Sequence, residues 1–164
     1  MNELNAKQLI ELLNLQPLTG EGGYFRRTYQ SELTLYPKSR DEGLIAGTAI
    51  YYLITPESFS TMHRLKYDEI YHFYLGDPAE MFLIDQDGNH RTVTLGQDLI
   101  AGQYLQFVVP AGTWQGCKVR TGGKWSLLGT TMAPGFDFKD LELGTAEFFE
   151  DAYPQIKQVR DFLR

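Results

Sequence analysis

The sequence predicts an all-β fold, a sandwich or small barrel, with short helices only near the two ends of the chain. Short apolar and aromatic runs recur at regular spacing through the middle of the chain, separated by clusters of glycine, proline, asparagine and aspartate. The 164 residues include 16 glycines, 10 tyrosines and 10 phenylalanines, a composition that suits pleated strands and tight turns. A single domain of this size buries about 70% of its unfolded surface, so it needs no disulfide to fold.

Both ends of the chain carry helical patterns. Asn5 and Gln8 have the spacing of a capping box, and the residues after them place an apolar face at helical spacing, made of Leu9, Leu12 and Leu13. Near the other end, Pro154 suits the first turn of a helix. The apolar stripe that follows it consists of Ile156, Val159, Phe162 and Leu163.

The middle of the chain is predicted to form short strands. The run 47–55 is apolar on both faces and therefore predicts a central strand. The turn around Asp87, Gly88 and Asn89 predicts a hairpin. The predicted strands are 24–29, 47–55, 58–65, 70–75, 79–84, 91–95, 104–109, 114–119 and 125–131.

Charge and hydropathy exclude several classes of protein. With 15 Lys+Arg against 21 Asp+Glu, the net charge of −6 disfavours binding to nucleic-acid phosphates. No apolar run approaches the ~20 residues of a membrane span, and the acidic start of the chain lacks the features of a signal peptide. We therefore expect a cytoplasmic protein with no nucleic-acid or membrane partner. Cys117 alone excludes an intrachain disulfide and any multi-cysteine zinc site.

Two stretches of the chain resemble the paired motifs of the cupin superfamily. Segment 63–76 resembles the first motif, which runs His-x-His, a short spacer, Glu, six residues and Gly. Segment 102–115 resembles the second, which runs Gly, a spacer, Pro-x-Gly, two residues and His. The order and spacing of the two motifs fit, and the predicted hairpin lies between them.

The usual metal ligands of those motifs are incomplete in this chain. Leu65 stands where the second metal-binding histidine would be, and Gln115 stands where the third would be. His63 and Glu69 are the matching ligands that remain. Because a catalytic metal normally has three protein ligands dominated by histidine and carboxylate, we predict no metal and no other cofactor. If a metal were bound, its ligands would be His63, Glu69 and Gln115.

Beyond these motifs, the chain is similar to one cupin subgroup, the cupin-5 family of largely uncharacterised proteins. The similar segments are 21–26, 49–53, 63–65, 68–74, 109–115 and 133–138. Two positions depart from the family pattern: Arg27 stands where glutamate is usual, and Tyr71 stands where tryptophan is usual.

This resemblance implies an all-β fold formed by a single cupin jelly-roll β-barrel, with short N- and C-terminal helices. It divides the one domain, 1–164, into an N-terminal helix and lead-in over 1–20, the jelly roll over 21–138 and a helical tail over 139–164. It also implies a homodimer and a structural likeness to the dTDP-sugar epimerases, metal-free cupins in which a histidine acts as the base.

Strand alternation places the candidate catalytic residues inside this barrel. If His63 faces the interior, Leu65 does too, and Glu69 and Tyr71 follow across the turn, whereas His72 points away. His63 and Glu69 are then predicted to pair, the carboxylate orienting the ring and raising its basicity. The alternative is a buried histidine bonded to a structural glutamate. We favour a site, because two ionisable groups are costly to bury without use.

Five further residues are candidates for ligand binding: Arg26, Tyr52, Tyr71, Trp114 and Gln115. Arg26, which follows two glycines, would clamp an anionic group of a ligand, and its alternative role is a surface or interface salt bridge. Gln115 would bond a ligand or tie strands together. Trp114 and Tyr52 would pack in the core or stack on a ligand. Cys117 is expected to be a buried, unreactive thiol.

Three functions remain open from the sequence. The first is a metal-independent isomerase or epimerase for a small anionic or sugar-like molecule, in which His63 abstracts a proton. Its acid partner would be Tyr51, Tyr52 or Tyr71. The second is a module that binds or senses a small ligand without turning it over. The third is an enzyme that retains a metal at His63, Glu69 and Gln115.

Overall fold

Two antiparallel β-sheets form the body of the fold in the computed structural model, which describes residues 4–38 and 42–164. The first three residues of the predicted lead-in 1–20 lie outside the described residues. The strands, in chain order, are β1 Gln16–Pro17, β2 Tyr24–Gln30, β3 Thr34–Leu35, β4 Leu44–Ile45, β5 Thr48–Ile54, β6 Ser60–Leu65, β7 Glu69–Gly76, β8 Ala79–Ile84, β9 His90–Leu95, β10 Gln106–Val109, β11 Trp114–Val119, β12 Ser126–Met132 and β13 Leu141–Leu143.

The order of strands confirms the predicted jelly-roll barrel. One sheet has six strands in the order β1-β2-β5-β12-β7-β10, and the other has five in the order β13-β6-β11-β8-β9. A separate two-stranded sheet pairs β3 with β4. All nine predicted strands form, with ends within two residues of their predicted positions. The short strands β1, β3, β4 and β13 were not predicted.

Strand β5 is central, as its apolar pattern predicts. It pairs with β2 on one side and β12 on the other. Its face carrying Tyr52 and Ile54 is buried in the core between the two sheets. Leu53, on the opposite face, is buried in a second apolar cluster with Leu9 and Leu127. Both faces of β5 are therefore covered, which explains why the run has no polar alternation.

The core between the sheets takes side chains from both layers. The six-stranded sheet contributes Tyr52, Tyr71 and Leu128, and the five-stranded sheet contributes Met81 and Leu83, all with no more than 3% of their surface exposed. Burying one such side chain stabilises the fold by roughly 1.5–3 kcal/mol. This packing holds the two sheets together and encloses the barrel interior.

The N-terminal helix α1 spans Ala6–Leu12 and has the predicted capping box. The Asn5 side chain accepts a hydrogen bond from the Gln8 backbone nitrogen at 3.0 Å, and the Gln8 side chain accepts one from the Asn5 backbone nitrogen at 3.0 Å. Leu9 is buried as predicted, but Leu12 is 73% exposed, so its place on the apolar face was wrong. Leu15, beyond the helix, joins Leu9 in the apolar cluster instead.

The C-terminal tail is helical but is built differently from the prediction. Helix α2, Ala146–Ala152, lies within the predicted helical tail but precedes Pro154, where the helix was expected to start; its N-cap is Thr145. After Pro154 the chain forms a 3₁₀ helix, Lys157–Phe162, rather than an α-helix. The predicted stripe is nevertheless buried at Ile156, Val159 and Phe162. These side chains pack on the outer side of the five-stranded sheet, against residues of its strands β8 and β11.

Candidate functional site

Two glutamates, a histidine and a glutamine are buried in the barrel and form one cluster. Glu21, His63, Glu69 and Gln115 have exposed fractions of 7%, 1%, 6% and 1%, respectively. Burying ionisable groups is costly unless they are paired or hydrogen-bonded. Their contacts with one another therefore determine what this cluster, which we call the polar cluster, does.

The polar cluster draws on both sheets. His63 on β6 and Gln115 on β11 are register partners in the five-stranded sheet. Glu69 begins β7 in the six-stranded sheet, opposite Met132. Glu21 comes from the turn that precedes β2. The cluster therefore lies where the two layers face each other.

Two consecutive glycines allow the backbone of the turn that carries Glu21 to lie close to the barrel. Gly22 and Gly23 have φ angles of 99° and 73°, a conformation that other residues rarely adopt. A Cβ added at Gly22 would collide with the carbonyl oxygen of Phe59, and one added at Gly23 would lie 2.6 Å from the ring of Tyr52. This close approach brings Glu21 into the polar cluster.

The contacts of His63 assign a hydrogen to its Nδ1. Its Nδ1 lies 2.8 Å from the carbonyl oxygen of Thr61. A carbonyl can only accept, so Nδ1 carries a hydrogen and donates it to Thr61. Nε2 lies 3.8 Å from Oε1 of Glu21, and that oxygen also accepts a hydrogen bond from Ser60 at 3.0 Å. Within the described residues the ion pair of His63 is with Glu21, and the charge of His63 also acts on Glu69, its predicted partner.

Glu69 has an amide as its hydrogen-bond donor. The Nε2 of Gln115 donates to Oε2 of Glu69 at 2.9 Å. Burial raises the pKa of Glu69 from 4.5 to about 7; the nearby His63 opposes this rise and Glu21 adds to it. The Glu69 carboxyl therefore exchanges its proton close to neutral pH, as a general acid or base requires.

Gln115 ties the strands together, as one of its two predicted roles states. Its Nε2 donates to Glu69, whereas its Oε1 is buried and accepts no hydrogen bond from the described residues. A buried acceptor left in this state costs about 1–3 kcal/mol. The amide is therefore held in place by one hydrogen bond from its nitrogen to a carboxylate, while its oxygen has no hydrogen-bond donor among the described residues.

A small cavity reaches the polar cluster from the barrel mouth. Its volume is about 40 Å³, well below the ~300–1,000 Å³ of sites for drug-sized ligands. It is lined by Leu18, Glu21, Phe25, Arg27, Thr48, Ile50, Tyr52, Leu65, Glu69, Tyr71, Thr130, Met132, Phe136 and Phe138. Both carboxyl groups of the cluster face it, whereas His63 and Gln115 are not among the lining residues. In this conformation the cavity accepts a group of only a few atoms.

Two of the three candidate tyrosines line this cavity. Tyr52 and Tyr71 are both buried, and burial raises the pKa of each phenol well above its usual value. The Tyr52 hydroxyl donates a hydrogen bond to the Gly22 carbonyl oxygen at 2.8 Å. Tyr51 is not in the cavity: its ring lies 6.0 Å from that of Tyr74, in the neighbourhood of Arg26. Tyr51 is therefore removed from the candidate acids.

Arg26 and Arg27 lie on opposite faces of β2. The guanidinium of Arg26 lies 5.5 Å from the ring centre of Tyr51 and does not reach the cavity, which corrects its predicted role as an anion clamp. Arg27 lines the cavity together with Phe25, two residues before it. The sequence proposed Arg26 alone, without the register of β2 against β5, which pairs Phe25 with Tyr52.

Trp114 is buried on the other side of its sheet, outside the cavity. Its ring lies 5.0 Å from that of Phe149 on α2, and the guanidinium of Arg64 lies 4.7 Å from its centre. These contacts support packing, the alternative role that the sequence left open, and place Trp114 outside this cavity. The packing partner comes from helix α2, which lies within the predicted helical tail 139–164 but before the helix start expected at Pro154.

Two further expectations agree with the structure. The Nε2 of His72 lies 3.1 Å from Oγ1 of Thr131, and its ring stacks on Tyr74 at 6.2 Å, away from the polar cluster. Cys117 is buried in the core between the sheets, where burial raises the pKa of its thiol far above the usual value. A thiol kept protonated in this way is a poor nucleophile.

The polar cluster does not fit the usual metal of this fold. Within residues 4–38 and 42–164, no group of three or more histidine, cysteine, aspartate or glutamate side chains is placed to hold a metal ion. Leu65 lines the cavity where a second histidine ligand is usual. The amide nitrogen of Gln115, rather than its oxygen, is directed at Glu69. We therefore derive no chemical step through a metal.

No helix in the described ranges has the length and hydropathy to cross a membrane.

Comparisons with known proteins agree with this architecture. Residues 7–144 match the family model Cupin_5, described as "Cupin superfamily (DUF985)". A hypothetical protein from Leishmania major has a similar solved structure, with a TM-score of 0.89 and 32% identity over 98% of this chain and 99% of that one. Protein SO0799 from Shewanella oneidensis is also similar, with a TM-score of 0.89 and 35% identity over 99% of both chains.

A curated relative is the uncharacterized protein YML079W of Saccharomyces cerevisiae, 28% identical over 132 residues. The aligned region covers 73% of this chain and 66% of that protein, just under two thirds of its length. The family match is longer and extends from α1 to the end of β13. Because it takes in both sheets and every residue of the polar cluster, the chain belongs to the Cupin_5 family of the cupin superfamily.

Proposed function

We propose that this protein binds a small molecule at the barrel cavity and moves a proton on it without a metal, as an isomerase or epimerase does. The observation that carries the proposal is the position of Glu69, a buried carboxyl that lines the cavity and neighbours His63 and Glu21. A carboxyl with a pKa of about 7 both accepts and donates protons readily at neutral pH. The substrate is a small anionic or sugar-like molecule whose reactive end enters the cavity.

Glu69 is the catalytic residue in this proposal, and His63 is a positioning residue. The cavity reaches the carboxyl but not the imidazole, which favours this assignment over a histidine base. His63 adjusts the proton affinity of Glu69 through its charge. Gln115 fixes the orientation of the carboxyl through its 2.9 Å hydrogen bond.

The proposed step is enolisation next to a carbonyl group. The Glu69 carboxylate takes a proton from the carbon, the C–H electron pair becomes the C=C bond of the enol, and the carbonyl oxygen accepts a proton. Tyr71 is the proposed donor of that proton, because it lines the cavity and its raised pKa keeps it protonated. Tyr52 is less suited, since its hydroxyl already donates to Gly22. Protonation of the same carbon from the opposite face completes epimerisation, whereas protonation of the former carbonyl carbon, with loss of the proton from a neighbouring hydroxyl group, completes isomerisation.

Hydrogen exchange in deuterated water tests this function. Small keto acids and keto sugars are incubated with the protein, and NMR follows deuterium incorporation at the carbon next to the carbonyl. We expect exchange with the unaltered protein, also after treatment with a chelator, and none above background with Glu69→Gln. Glu142→Gln is the matched control, because Glu142 is an exposed carboxylate paired with Arg64.

Three outcomes would contradict this proposal. Equal exchange by the Glu69→Gln variant would overturn the assignment of the base. Binding without any exchange would identify a non-catalytic module that binds or senses its ligand. Exchange that disappears with the chelator and returns with a metal ion would restore the metalloenzyme alternative.

We also propose that the chain pairs as a homodimer, as the family resemblance implies. Exposed apolar side chains on strands of the six-stranded sheet support this, among them Tyr74 at 41% and Val108 at 47% exposure. Light scattering coupled to gel filtration tests it, and a mass of one chain at micromolar concentration would contradict it.

A further inference from the structure

We propose that Arg27 binds the anionic group of the ligand at the mouth of the cavity, so that the ligand is an oxyanion, a small carboxylate or phosphate. This inference rests on the proposal that the cavity takes a ligand. It assigns the anion site to an arginine that the sequence alone did not select.

The strand places Arg27 at the cavity. On β2, side chains alternate between the two faces, and Phe25 and Arg27 both line the cavity. In the pairing of β2 with β5, Arg27 lies opposite Ile50, which also lines it. Arg26 between them faces Tyr51 on the other side of the sheet. The guanidinium of Arg27 is therefore the one that a ligand entering the cavity meets.

The charge of Arg27 has no carboxylate partner among the residues described. Its Nη1 donates to Oε1 of Gln30, a neutral amide, at 2.7 Å. The ion pairs found within residues 4–38 and 42–164 do not include it. A guanidinium carries five N–H donors in a planar fork. Gln30 thus orients the group while leaving donors for a bidentate contact with a carboxylate or phosphate.

The rest of the lining determines which end of the ligand lies at Arg27. Among the lining residues that the structure describes, Arg27 is the one basic side chain, and the interior carries the carboxyls of Glu21 and Glu69. An anion deep in the cavity would be repelled by these carboxyls. The rim also carries Phe136 and Phe138, whose rings are 5.0 Å apart. The ligand therefore has its anionic end at Arg27 and its uncharged end near Glu69.

The neighbouring arginines allow a matched test. Isotope-labelled protein is titrated with pyruvate and, separately, with inorganic phosphate, and the backbone amide shifts of Thr48, Ile50 and Thr130 report binding. We expect Arg27→Gln to weaken binding of both probes at least about tenfold, the loss expected for one charge-assisted hydrogen bond. Arg26→Gln, which removes an equal charge from the same strand, should change binding less than about twofold. Arg27→Lys should retain part of the binding.

Several results would overturn the inference. These are equal losses from the two Gln variants, unchanged binding by Arg27→Gln, or an absence of cavity shifts in the unaltered protein with both probes. Both arginines are exposed, and the amide spectrum of each variant verifies its fold.

The hydrogen-exchange assay separates this inference from the proposed enzyme. Arg27-dependent binding without exchange would contradict the proposed enzyme activity and support the anion site. Exchange on a keto acid that Arg27→Gln leaves unchanged would support the enzyme and contradict the anion site.

Discussion

The amide of Gln115 and the carboxyl of Glu69 are joined by a 2.9 Å hydrogen bond that connects side chains of the two sheets. The donor residue lies on β11 of the five-stranded sheet, and the acceptor residue begins β7 of the six-stranded sheet. The bond therefore couples the protonation of Glu69 to the packing of one sheet on the other.

Removing this donor should raise the pKa of Glu69 above about 7. The Gln115→Met variant keeps a similar volume but no longer stabilises the charged carboxylate. Carbon-13 NMR titration of the glutamate carboxyls measures the shift. Gln97→Met, at an exposed position, is the control and should leave the Glu69 titration unchanged. A fall in the pKa of Glu69 in the Gln115 variant would contradict the assigned bond.

The stability of the protein should carry a pH-dependent component from Glu69. Its pKa rises from 4.5 to about 7 on folding, so between these values the folded state holds a proton that the unfolded chain has lost. The contribution to the free energy of unfolding is therefore highest at low pH and falls by roughly 3 kcal/mol as the pH rises through this window. Denaturant unfolding at several pH values should show this fall in the difference between the unaltered protein and Glu69→Gln. A flat difference would exclude the raised pKa.

Neutralising Glu21 should lower the pKa of Glu69, because the Glu21 charge disfavours a second carboxylate nearby. We expect Glu21→Gln to shift the Glu69 titration, and the lower limb of any pH–rate profile, to lower pH. Glu142→Gln, far more exposed and paired with Arg64, should move neither. An upward shift in the Glu21 variant would mean that its charge does not face Glu69.

The glycine turn that carries Glu21 should be intolerant of side chains. Gly23→Ala combines a φ of 73° with a contact 2.6 Å from the Tyr52 ring, whereas Gly122→Ala has a φ of 88° and no atom within 4 Å. The Gly122 variant should cost about 1–2 kcal/mol for backbone strain alone. The Gly23 variant should cost clearly more, because the Tyr52 ring must also move. Chemical denaturation compares the two, and equal costs would show that the turn has room.

Helix α2 should stabilise the outer side of the five-stranded sheet through Phe149. This side chain is 1% exposed and its ring lies 5.0 Å from that of Trp114. Phe149→Ala should cost about 3–5 kcal/mol in the free energy of unfolding. Phe148 also lies 5.0 Å from Trp114 but is 37% exposed, so Phe148→Ala should cost less than about 2 kcal/mol. Similar losses in both variants would mean that Trp114, rather than the burial of Phe149, sets the cost.

The strands could be predicted because their signals are local. Alternation along 70–75 and the turn at Asp87 and Gly88 involve neighbouring residues only. The burial of His63 and Glu69 also follows from alternation within each strand. These parts of the fold and site need no knowledge of distant contacts.

The remaining parts depend on contacts between distant segments. Glu21 lies 42 positions before His63 in the chain, and no pattern near it signals that its turn folds against β6. That Arg27 rather than Arg26 lines the cavity follows from the pairing of β2 with β5, which the sequence does not give. The packing of Trp114 could not be predicted without α2. This helix is too short to be stable alone and depends on the sheet against which its apolar face packs.

The narrowness of the barrel interior has a consequence for selectivity. A space of about 40 Å³ admits an unbranched end group and turns away a branched or ring-shaped one before any proton is transferred. Discrimination among candidate compounds would then depend on the width of the end that enters first.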